Sequence, residues 1–338
     1  MNSESPTFII RDINRLFDLD FTRDQYTSMI ERGEIPTPAK KGKGSYRYWT
    51  ADDLPQIGRT FHPLVEPKRK KAITYSIYVA KGGGSWKTTF THNFAKYLAM
   101  HGKKVLCVPL DPQQNLTRKF GIDNRKQTVL QTKKYFKGLF EAINEDLNVE
   151  EVIYKTNTKN IDIIPESAKL FNLQIYLNSQ SFREAIIKDK LTEVYEKYDA
   201  ILFDNNPSWD VVSINSIYAS DILIAPVGID SNSQETIEFF IETLNTQLKG
   251  IQLSDVIFAP GFYENNEMKR SILKSYQNNY DGLFTTANVR KATTVDEASF
   301  KKCSIFEYDT KAAVTEDFKR LFLEIWDRSV SAIDKNIN

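Results

Sequence analysis

Apolar positions along the chain follow two different rhythms. From about Ala72 onward, the apolar and β-branched runs AITYSIYVA, KKVLCVPL, NIDIIP, DAILFD, DILIAPV and DVIFAP recur between segments with helical spacing. Such alternation predicts a parallel sheet with helices on both faces. Between the first two runs, Thr88–His101 places Phe90, Phe94 and Leu98 on one stripe and stops at Gly102. Before Ala72 the pattern is shorter and more polar. Thr22 is placed to cap a helix that runs to about Arg32, with Tyr26, Met29 and Ile30 at helical spacing, and Gly33 stops it ahead of Pro36 and Pro38. A basic, glycine-containing turn follows, Lys40-Lys41-Gly42-Lys43-Gly44, and SYRYW beyond it alternates polar and aromatic residues like an exposed strand. Pro63, Pro67 and the run Lys68-Arg69-Lys70-Lys71 then break the pattern. The expected organisation is a small helix-and-wing domain over 1–62, a basic linker over 63–71 and a large α/β domain over 72–338.

Composition adds mainly exclusions. The 338 residues, 41% apolar and 26% charged, suit a globular chain with one large and one small domain. Lys and Arg number 45 against 44 Asp and Glu, so any basic footprint must be local. The basic run at 68–71 reads equally well as a solvated hinge or as a phosphate contact. Cys107 and Cys303 are the two cysteines, which excludes a disulfide framework and a cysteine-only metal site within one chain. The N-terminus lacks a signal-peptide pattern and no run of about 18 apolar residues occurs, so a cytoplasmic protein without a membrane segment is expected.

Candidate chemistry begins at YVAKGGGSWKTTFTHNFAKYLA, a strand that turns glycine-rich and becomes a helix at Lys87. Unpaired N–H groups and the helix dipole at such a turn favour phosphate. Asp111 and Asp204 end two later strands, where doubly wound sheets gather ligand chemistry. Each carboxylate taken singly is an ordinary cap or turn residue; together with the lysine loop they predict a nucleotide site. In the N-terminal unit, Arg23, Gln25, Thr27 and Ser28 open the helix and carry donors suited to base edges, whereas Lys40, Lys41, Lys43 and Arg47 suit phosphates. Tyr46, Tyr48 and Trp49 are expected to pack.

These segments carry two resemblances. Residues 8–61 resemble the winged helix-turn-helix of MerR-type regulators, with a basic hairpin ahead of Tyr-Arg-Tyr and a short DDL-like helix. Residues 72–330 resemble the ParA-type partition ATPases of the deviant Walker A group, through KTTFTHNFAKYLAMHGKKVL, LDPQQNLT, NIDIIPESAKL, YDAILFDNNPS, ASDILIAPV and VDEASFKKCSIFEYD. The resemblance implies a doubly wound, mostly parallel P-loop domain preceded by a small winged helix-turn-helix domain. It implies ATP and Mg2+ as cofactors, a homodimer, DNA and a centromere-binding ParB-like adaptor as partners, and a place on the nucleoid. Carried over residue by residue, Gly82, Gly83, Gly84, Lys87 and Thr89 would hold phosphates, Thr88 and Asp204 magnesium, and Asp111 the attacking water.

The sequence departs from that family at the loop itself. Lys81 stands six residues before Lys87, where the family's signature lysine stands five before, and Trp86 occupies a glycine position. Either one residue is inserted and Lys81 keeps its role across the dimer interface, or an ungapped loop puts Gly82 there. An indole beside Lys87 forces the loop to reshape or to point it elsewhere. Pro109 replaces a usual aspartate and Asn206 a usual proline. Weak or absent hydrolysis is therefore expected, with partition as the leading function and a transcriptional regulator using a degenerate ATPase domain as dimerisation scaffold as the alternative.

Overall fold

The computed structural model describes residues 6–41, 46–79, 86–122, 136–167, 169–229, 233–247, 250–264, 266–280 and 282–336. Its N-terminal unit runs β1 (Thr7–Phe8), α1 (Ile10–Leu16), α2 (Arg23–Glu31), β2 (Ala39–Lys41), β3 (Tyr46–Thr50) and α3 (Leu54–Phe61). Helix α2 starts where a reciprocal cap forms, Thr22 Oγ1 accepting from the Gln25 N–H while Gln25 Oε1 accepts the Thr22 N–H at 2.7 Å. It is followed by Gly33 at φ +73°, a conformation that favours glycine. Strands β2 and β3 are antiparallel, with Lys40 opposite Arg47, and β1 lies on the other side of β3, with Phe8 opposite Trp49. The Trp49 ring is buried on Tyr26, at 5.6 Å between centroids, and its Nε1 donates to the Pro36 carbonyl at 2.8 Å.

The larger unit continues with β4 (Ile73–Ile77), α4 (Lys87–Met100), β5 (Val105–Leu110), α5 (Asn115–Lys119), α6 (Leu139–Asn144), β6 (Tyr154–Lys155), β7 (Ile161–Ile163), α7 (Leu170–Asn178) and α8 (Ile186–Leu191). Then come β8 (Ala200–Asn205), α9 (Val211–Tyr218), β9 (Ile222–Val227), α10 (Ser233–Gln247), β10 (Asp255–Tyr263), α11 (Glu267–Asn279), β11 (Val289–Arg290), α12 (Thr293–Phe300), α13 (Ile305–Tyr308) and α14 (Ala313–Lys335). Among the described residues the sheet has the order β11-β10-β9-β4-β8-β5-β7-β6, parallel except at the β6–β7 edge. Strands β4, β5, β8 and β9 are buried along their whole length, as their continuous apolar runs require. No described helix is long and apolar enough to cross a membrane.

The segment read as a linker is fastened rather than free. Arg69 forms a two-pronged ion pair with Asp221, Nη1 to Oδ1 at 2.9 Å, and donates to the Ala72 carbonyl. Leu64 is buried, Trp326 Nε1 donates to the Val65 carbonyl at 2.8 Å, and the Lys68 N–H donates to Asp334. One hydrophobic cluster also runs from Phe8, Ile13, Phe17 and Ile57 through Phe94 and Leu98 to Phe322 and Ile325, so the N-terminal unit shares its core with α4 and α14. Packing there is close: a Cβ on Gly58 would lie 2.1 Å from the Met100 carbonyl oxygen. Lys319, almost buried, donates to the Arg15 carbonyl at 2.7 Å and pairs with Asp18, while Arg59 Nη2 donates to the Gly102 carbonyl.

Candidate nucleotide site

Helix α4 begins at Lys87 with Trp86 as its N-cap, and the indole makes no capping hydrogen bond. Its ring is instead buried in the core, against Phe90 at 5.3 Å, Phe262 at 4.9 Å and Phe318 at 5.8 Å between centroids. Room for it exists because position 261 is glycine: a Cβ there would come within 2.2 Å of the indole. The bulk expected to crowd the loop is therefore accommodated between β10 and α14. Lys81, Gly82, Gly83 and Gly84 lie outside the described residues, as does Lys43.

Behind the start of α4, the end of β8 presents Asp204, which is fully buried. Thr88 Oγ1 donates to its Oδ2 at 2.8 Å and Thr91 Oγ1 to its Oδ1 at 3.1 Å. Burial pushes the carboxyl up to about 6, opposed by those two hydrogen bonds and by Lys87. Lys87 is itself nearly buried, and burial lowers its pKa against the pull of Asp204 and Asp111. Asp111 follows β5, half-exposed, and accepts the Gln113 N–H at 3.0 Å. Thr89 is half-buried one position beyond Thr88, its carbonyl accepting from Asn93 Nδ2. A hydroxyl and a carboxylate are hard oxygen donors of the kind that hold Mg2+ alongside phosphate oxygens and water, so Thr88 and Asp204 fit that ion. Among the described residues no cluster of three or more His, Cys, Asp or Glu forms a cage of its own.

Two features of this region escaped sequence reasoning. Asn205 Nδ2 donates to Ser76 Oγ at 3.0 Å and to the Ile77 carbonyl at 3.2 Å, and its Oδ1 accepts from Ser216 Oγ at 2.7 Å. It ties β8 to the end of β4, just ahead of the glycine-rich loop. Glu166 leaves β7 beside the end of β5, because Cys107 pairs with Ile163 in parallel register. The group is buried, accepts a hydrogen bond from Thr117 and is held well above the usual carboxylate range by burial. A buried carboxyl thus follows the strand paired with β5, and the PES after NIDIIP was its available signal.

In the N-terminal unit, Arg23 is exposed at the first position of α2 and Arg47 is half-buried in β3. Gln25 serves in the cap, Thr27 Oγ1 donates to the Arg23 carbonyl at 3.0 Å, and Ser28 Oγ accepts from Arg32 at 2.8 Å. Lys40 and Lys41 are defined by their backbone in β2.

Comparison with known proteins places the family and the fold. Residues 72–254 match the family described as AAA domain. The chain is 23% identical over 318 residues to the cell division protein PomZ of Myxococcus xanthus, covering 92% of this chain and 94% of that one. To the chromosome-partitioning ATPase Soj of Treponema pallidum it is 26% identical over 253 residues, 74% of this chain and 95% of Soj. The structure of an ATP complex of a variant Cyanothece McdA superposes with a TM-score of 0.64 at 20% identity, over 77% of this chain and 97% of McdA. The chain belongs to the AAA domain family and has the fold of the ParA-type P-loop ATPases.

Proposed function

We propose that this protein is a DNA-partition ATPase that binds ATP with Mg2+ at the start of α4, dimerises, and holds DNA through α2 and the β2–β3 hairpin as a winged helix. The observation that carries the reading is the convergence of Lys87, Thr88 and Asp204 at the meeting of a helix N-terminus with a strand end. A chromosome-partitioning ATPase and an ATP complex among its relatives support it. Lys87 would neutralise β- and γ-phosphate charge, Thr88 and Asp204 would hold magnesium, Thr89 would bond a phosphate oxygen and Asp111 would orient water. Held by Thr88 and Asp204, Mg2+ would supply positive charge that offsets the negative charge of the phosphates. Lys81 would act across the dimer, and Gly82, Gly83 and Gly84 would let backbone approach phosphate. With proline at 109, turnover is slow. A ParB-like adaptor on the nucleoid and repression of its own operon complete the reading.

The second reading, a regulator whose P-loop domain is only a dimerisation scaffold, is favoured by Trp86, whose place in the core makes the start of α4 part of the folded architecture. Titration of fluorescent ATP with and without Mg2+, followed by footprinting in both states, separates the two. Magnesium-dependent binding that alters the footprint supports partition switching; identical footprints with no nucleotide bound leave the scaffold.

A further inference from the structure

We propose that Arg11 joins Arg23 and Arg47 in a seat for the sugar–phosphate backbone of duplex DNA, and that Arg23 contacts phosphate there rather than a base edge. This rests on the DNA-binding reading of the N-terminal unit. A cavity of about 480 Å³ opens between α1, α2 and β3, with the three arginines coming from three different elements around a floor that includes Ile10, Ile30 and Trp49. Arg15 and Arg32 of the same unit are engaged by Asp12 and Glu34, whereas among the described residues Arg11, Arg23 and Arg47 form no ion pair. Three like charges lining one cleft repel each other, and an anion between them relieves that repulsion. Guanidinium groups offer the forked donors that match phosphate oxygens.

The shape of the charge favours a polymer over a small anion. Arg47 pairs in register with Lys40, so the strand that lends Arg47 to the cleft is one half of a hairpin whose sequence carries Lys40, Lys41 and Lys43. A free phosphate or mononucleotide would use the cleft and leave the hairpin idle; a duplex backbone uses both, and the apolar floor takes its deoxyribose. Helix α2 adds to the argument, since Gln25, Thr27 and Ser28 already make local hydrogen bonds.

The test uses the full-length chain and fluorescent duplexes, one from its own promoter region and one scrambled, titrated across NaCl concentrations. Arg11→Ala should weaken both duplexes alike and reduce the log–log salt slope by about one unit, and Arg11→Lys should restore most of the slope. Arg11 is exposed, so unchanged melting temperatures would confirm intact folding. If Lys41→Ala lowers the slope and Arg11→Ala does not, the cleft is off the backbone path while the DNA reading survives. If the wild type shows no salt-dependent duplex binding, the DNA reading itself fails. Arg11-dependent binding of inorganic phosphate or a mononucleotide, with an unchanged duplex slope, would make the cleft a small-anion site and overturn the proposal.

Discussion

The two ends of α4 are built on opposite terms. Near Lys87 the helix turns its own Thr88 and Thr91 hydroxyls onto the Asp204 carboxylate, polar bonds of a kind that a ligand can replace. At Met100–Gly102 it meets backbone and rings: Gly58 against the Met100 carbonyl, and His101 between Phe17 at 5.3 Å and Tyr97 at 4.4 Å. Polar groups at a strand end tolerate substitution at a cost to binding, whereas an interface closed at the backbone tolerates almost none. A single helix thus joins an exchangeable site to a permanent one.

The largest effect is expected at the permanent end. Gly58→Val drives a side chain into the Met100 carbonyl and should destabilise by about 3 kcal/mol or more, read as a lower thermal midpoint. Retention of the wild-type midpoint would mean that α3 and α4 part easily. Next, Lys87→Ala should lower ATP affinity about 100-fold, as expected for losing charge-assisted bonds, without lowering the melting temperature of the nucleotide-free protein. Calorimetry that finds a change under about threefold would remove Lys87 from the phosphate site.

Gly261→Ala should cost about 2 kcal/mol, because the added methyl overpacks an indole already held against three rings. Combining it with Trp86→Phe should recover part of that loss, a coupling that a double-mutant cycle in urea measures directly. Strict additivity would separate the indole from Gly261. Smallest per pH unit is a slope in stability with pH. Asp204 binds its proton more tightly in the folded than in the unfolded chain, so between about pH 4 and pH 6 the unfolded state sheds a proton that the folded state keeps. Stability of the metal-free protein should therefore fall as pH rises through that window, by at most about 1.4 kcal/mol per pH unit from this group. Asp204→Asn should flatten the profile there, and an unchanged slope would assign it to other groups.

What the sequence made legible was local or periodic. The start of α2 at Thr22, the stop near Gly33, the strand runs and the strand-end positions of Asp111 and Asp204 each follow from a short window. Trp86 shows the opposite case. Read locally, an indole in a glycine position is a steric problem for the loop; its solution, Gly261, lies in a distant strand and has no periodic relation to it. The same holds for the Arg69–Asp221 pair, which turns a run resembling a solvated hinge into a fastening, and for Asn205, whose partners Ser76 and Ser216 come from other elements. Hydrophobic pattern specified that α4 had a buried stripe and left open that the N-terminal unit covers part of it.

The shared core has a consequence for recombination. A gene fragment encoding residues 1–62 would carry a half-finished surface, with Phe8, Ile13, Phe17 and Ile57 in a cluster that continues into α4 and α14. Its former host would be left with matching apolar ground where Met100 and His101 had been covered. Neither piece could be traded as a cassette unless the recipient offered the same complementary contour, glycine for carbonyl at Gly58 included. Such chains should diversify by drift of both parts together, and chimeras joined at the basic run should expose the mismatched apolar surface and precipitate.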